Sequence, residues 1–79
     1  MMDTIIEMLK QMKPDAEINE NTELIKSHII DSLEMIGFVN DLCDTFDVEI
    51  MMKDIVPENF STPADIYNLI KRIQEEDNI

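Results

Sequence analysis

Ile5, Met8, Leu9 and Met12 recur at spacings of three and four residues, which places them on one face of a helix. The pattern predicts a first helix over residues 3–13. Asp3 caps its start, Lys10 and Lys13 lie near its end where the helix dipole favours cations, and Pro14 stops it. No period is sustained from residue 14 to residue 31. Ile18, Leu24, Ile25, Ile29 and Ile30 punctuate this stretch as anchors to a core, and Asn19, Asn21 and Thr22 offer local turn bonds. A loop this long in a compact domain is expected to be pinned and functional.

The helical period returns over residues 32–46. Met35, Val39, Leu42 and Phe46 form the inward stripe with Phe38 beside them, and Glu34, Gly37, Asp41 and Asp44 form the outward one. Asp31 or Ser32 serves as its N-cap. Residues 48–52 alternate like a strand, but a lone strand has no partner here. The expectation is an extended connection entering one helical turn over residues 52–56, which Pro57 then breaks. Thr62-Pro63-Ala64-Asp65 reads as a helix start, with Thr62 as cap, proline in the first turn and an acid at the third position. Ile66, Leu69, Ile70 and Ile73 follow at helical spacing, and the acidic tail from Glu75 to Asn78 is expected to fray. Every stripe is one-sided, so the helices must share a core. The expected fold is all-α: a small four-helix bundle of three longer helices and one short one, with a long loop between helices 1 and 2. It forms a single domain over residues 1–79.

Composition narrows the chemistry. One cysteine, Cys43, and one histidine, His28, exclude an internal disulfide and a zinc site, so apolar burial must supply the stability. Cys43 reads as a half-buried small hydrophobe beside Leu42. Acids outnumber bases 18 to 6, for a net charge of −12. That balance argues against nucleic acid and against anionic membranes, and it predicts attraction to basic protein surfaces. No apolar run reaches spanning length, and Met1-Met2-Asp3 does not begin a basic stretch followed by an apolar one, so the expected location is the cytoplasm. Seven methionines suit an adaptable surface.

Catalysis is not expected. The acids lie on solvated faces or in loops, and His28 stands four residues before Ser32 with no third orienting group. The candidate site is Ser32 itself. At a helix start it either caps the helix or, with the positive end of the dipole behind it, carries a phosphate-linked group. A rival reading needs no modification: a non-covalent acidic helical module that binds a basic partner.

Asp31-Ser32-Leu33-Glu34-Met35-Ile36 resembles the attachment motif of the acyl carrier proteins that bear phosphopantetheine. The likeness covers nearly the whole chain. Phe46-Asp47-Val48-Glu49-Ile50 is similar to the segment closing the family's second helix, and Leu24 to Ser32 is similar to the approach in stand-alone carriers. Pro57-Glu58-Asn59-Phe60, with Thr62 and Ile66, resembles aminoacyl and D-alanyl carriers more than the fatty-acid type. The resemblance implies 4'-phosphopantetheine on Ser32, added by a phosphopantetheinyl transferase, and acyl or aminoacyl cargo held as a thioester. The pathways it implies are fatty acid, polyketide or related metabolism. It further implies that Asp31, Leu33, Glu34 and Met35 meet acyl-transferring enzymes with basic docking surfaces. Asp41 and Asp44 are further contact candidates from the outer stripe of the helix, and the chain is expected to be a monomer. Two positions depart from the pattern. His28 stands where the family usually has glycine, and Gly37 stands where many fatty-acid carriers have an acid.

Overall fold

A computed structural model describes residues 2–77. Its elements are α1 (Met2–Met12), α2 (Ser32–Phe46), a 3₁₀ turn (Met52–Asp54), α3 (Pro57–Phe60) and α4 (Pro63–Asp77). The described residues form an all-helical bundle of three longer helices and one short one, as the periodicity predicts.

α1 buries Ile5 and Leu9 and begins one residue earlier than expected, so Asp3 is a first-turn acid and not the cap. α4 packs on both α1 and α3. Its start follows the expected chemistry: the Asp65 amide donates to the Thr62 hydroxyl at 3.2 Å, and that hydroxyl donates to the Asp65 carboxylate at 3.0 Å. The helix continues through Glu75 and Glu76 to Asp77, where fraying was expected, and Asn78 lies outside the described residues. Ile66, Leu69 and Ile70 complete the core with Phe38, Leu42 and Phe60.

Pro57 corrects the sequence expectation. It opens α3 and does not end the turn before it. Proline lacks an amide hydrogen that the first helical position does not need, and its fixed φ suits that position. The 3₁₀ turn closes at Asp54 before it, and Asn59 ties the two together by donating to the Asp54 carbonyl at 2.8 Å.

The long loop is pinned at three levels. Ile18, Leu24 and Ile30 are buried, with Ile25 and Ile29 packed against the same core. Asn19 and Thr22 build a local turn, in which the Asn19 amide donates to the Thr22 hydroxyl and the Asn21 amide donates to the Asn19 side chain, each at 2.8 Å. Backbone bonds then fasten the loop to the start of α4: Leu24 N–H to the Ser61 carbonyl at 2.8 Å, and Ala64 N–H to the Glu20 carbonyl at 3.0 Å.

Residues 24–28 wind one helical turn that ends in a left-handed residue. Ile29 N–H reaches the Leu24 carbonyl and His28 N–H reaches the Ile25 carbonyl, both at 3.0 Å, which is the paired closure that favours glycine in its left-handed position. His28 occupies it with φ 57°. For a residue with a Cβ this conformation costs roughly 1 kcal/mol. A glycine at this position would avoid that cost. Asp47 ends α2 in the same left-handed region at φ 53°, with its own amide and that of Val48 both donating to the Cys43 carbonyl, but aspartate tolerates that region better than most residues.

Gly37 is exposed in the middle of α2, and a Cβ placed on it would meet nothing within 4 Å. No packing among the described residues therefore requires glycine. Gly37→Ala is expected to raise the unfolding free energy by about 1 kcal/mol through helix propensity alone. Urea denaturation of the two proteins side by side measures this, and a lower midpoint for the alanine variant would disprove it.

Candidate functional site

The site is built at the junction of the long loop and α2. Two acids close the helix start against each other: the Glu34 amide donates to the Asp31 carboxylate at 2.8 Å, and the Asp31 amide donates to the Glu34 carboxylate at 3.3 Å. This reciprocal cap makes Asp31, and not Ser32, the capping residue. The other Glu34 oxygen pairs with the Lys13 ammonium at 2.6 Å, which ties the end of α1 to the start of α2. Glu34 is therefore half-buried and internally engaged.

Ser32 follows as the first helical residue and is exposed. Its hydroxyl takes part in no hydrogen bond among the described residues. The amides of Ser32 and Leu33 are likewise without acceptors among them, as the geometry of a helix start requires. A free hydroxyl thus sits beside unpaired N–H groups and the positive end of the α2 dipole, a setting that favours an attached anion.

An open pocket of about 470 Å³ adjoins this hydroxyl. Ser32, Met35 and Ile36 line it from α2, Ile55 and Val56 from the connection, and Phe60 from α3. Its wall is largely apolar, and His28 and Asp31 stand on its loop side.

The other predicted site residues separate into groups. Leu33 is 78% exposed and Ile36, one turn on, is 62% exposed, so the pair forms an apolar spot next to Ser32. Asp41 and Asp44 are exposed further along α2, beside Met8 and Met12 of α1. Met35 was expected on the docking surface and lies instead in the core at 7% exposure, because its position on the inward stripe turns it toward the pocket. Sequence reasoning missed Ile36 as an exposed residue and missed the Lys13–Glu34 pair, which joins positions 21 apart across a loop with no period.

A family model for the phosphopantetheine attachment site matches residues 2–70. The chain belongs to this family. It is a carrier protein, and the cofactor of the family is covalent 4'-phosphopantetheine. Carrier domains of this kind are not catalysts; they work with partner enzymes. Among curated relatives, the D-alanyl carrier proteins of two Lactobacillus delbrueckii subsp. bulgaricus strains are 27% identical over 63 residues, covering 80% of this chain and 79% of theirs. Among solved structures, a chain in the Bradyrhizobium japonicum glycine:[carrier protein] ligase complexed with its cognate carrier protein superposes with TM-score 0.70. It is 20% identical and covers 90% of this carrier and 91% of itself. A chain in a crystal structure of FAD-dependent dehydrogenase also gives TM-score 0.70, at 28% identity, covering 89% of this carrier and 97% of itself. Among the described residues no helix is long and apolar enough to cross a membrane.

The site's own features fit the family's cofactor. Ser32 is exposed, the helix end behind it suits a phosphodiester, and an apolar pocket lies within the same cluster of residues.

Proposed function

We propose that Ser32 is the attachment residue and that the protein is an aminoacyl carrier. The observation that carries this reading is the exposed Ser32 hydroxyl, released from capping by Asp31 at the first position of α2. The prosthetic arm supplies a terminal thiol on which a carboxylic acid is held as a thioester. The chain's residues do the rest. Asp31 and Glu34 hold the helix start, and Lys13 fixes it to α1. Leu33 and Ile36 offer an apolar contact, and Asp41 and Asp44 offer charge to a basic rim on the partner. The partners are a phosphopantetheinyl transferase and then the enzymes that load and remove the cargo. The D-alanyl carrier relatives support an aminoacyl cargo. A single monomeric carrier domain in the cytoplasm completes the reading.

The apolar pocket beside Ser32 favours a second reading, in which the cargo is an acyl chain of fatty acid or polyketide type. Two measurements decide. Intact mass after incubation with coenzyme A and a transferase proven on another carrier is expected to rise by one arm, and an unchanged mass would overturn attachment. Mass analysis of the thioester on protein from its native cell then distinguishes an amino acid from an acyl chain, and a purely hydrocarbon acyl group would overturn the aminoacyl reading.

A further inference from the structure

His28 keeps a costly backbone conformation and places a titratable side chain in the lining of the pocket that Ser32 also lines. It lines the same pocket as the serine. Among the side chains of that pocket it alone can carry a positive charge, and Asp31 alone carries a negative one. This matters in a chain of net charge −12, where any added anion meets general repulsion. We propose that His28 is the anion-binding residue for the phosphodiester that joins the arm to Ser32. Its imidazolium would act together with the unpaired amides of Ser32 and Leu33. The proposal rests on Ser32 being the attachment residue.

The other charges around His28 are identified. Asp31 stands with it on the loop side of the pocket, Lys13 and Asp15 share with it the depression at the end of α1, and Lys26 stands on its own turn. Two acids and two bases stand there with or without the arm, so comparing the unmodified and loaded forms isolates the phosphate.

His28 is the chain's sole histidine, so its ring signals in a proton NMR titration need no further assignment. Loading is first established by intact mass. The His28 midpoint is then expected to lie about 0.5 pH higher in the loaded protein at low salt, the size of one unit-charge interaction through water. The difference should shrink as salt is raised to about 1 M. A phosphodiester does not itself titrate near neutrality, so its ³¹P signal should follow the same midpoint in the wild type and stay flat in His28→Gln. A midpoint change below roughly 0.2, or a ³¹P curve unaffected by His28→Gln, overturns the proposal. Failure to load Ser32 would instead overturn the attachment reading, so the two failures are distinct.

Discussion

Ser32→Ala abolishes phosphopantetheine loading and leaves the fold almost untouched. The two halves of that expectation come from different observations. Loading needs an oxygen nucleophile, and the hydroxyl of Ser32 is the exposed one at the head of a long helix. Stability does not need it, because Asp31 supplies the cap and the Ser32 hydroxyl bonds to nothing among the described residues. The variant's denaturation midpoint should therefore match the wild type within a few tenths of a kcal/mol, the range of an ordinary surface change. Asp31→Ala gives the converse. It removes the carboxylate that accepts from Glu34 and is expected to lower stability by about 1 kcal/mol, with the hydroxyl still in place for loading. A mass gain in Ser32→Ala equal to that of the wild type would place the attachment elsewhere. Ser27 is the other exposed serine, but it lies inside the single turn before His28 and has no helix start behind it.

The contrast between those two neighbours shows what could be read in advance. Asp31 and Ser32 were equal candidates for the cap, because both residue types accept from an amide two or three residues on. Only the backbone decides between them. Asp31 is extended at ψ 178° and Ser32 is already helical, so the carboxylate alone reaches the Glu34 amide. The Glu34 that completes the pair was visible as part of a motif, but its second bond to Lys13 was not. That bond depends on the path of an aperiodic loop, and no local pattern encodes it. The helices were legible because each has a one-sided stripe over at least three turns. α3 was not, because four residues are too few to show a period, and Pro57 has two opposite meanings depending on which side of it the helix lies. The pocket was invisible for a related reason: the loop and α2 wall one part of it and the connection and α3 another, and sequence does not place those two stretches side by side.

Leu24→Ala is expected to be the most damaging single change in the loop, lowering the unfolding free energy by about 3 kcal/mol. The side chain is wholly buried, so its removal loses transfer energy and leaves a cavity in a core with little else to fill it. In a domain of this size about 1 kcal/mol moves the melting temperature by roughly 4–8 °C, so the drop should be about 12–24 °C. Small domains have a thin margin, and such a loss takes a large share of it. Leu9→Ala, equally buried but within α1, should cost a similar amount, so global stability alone does not separate the two. The separation is local. Leu24 also anchors the backbone, donating to the Ser61 carbonyl at 2.8 Å and accepting from the amides of Ile29 and Ile30 at 3.0 and 3.1 Å. Loosening its side chain loosens the turn that carries His28 and the approach to Ser32. Amide exchange should therefore quicken across residues 24–31 in Leu24→Ala under conditions where the rest of the core stays protected, and not in Leu9→Ala. A Leu24→Ala protein that melts within about 3 °C of the wild type, with unchanged exchange in that segment, would mean that the loop is held by its polar bonds and not by the core.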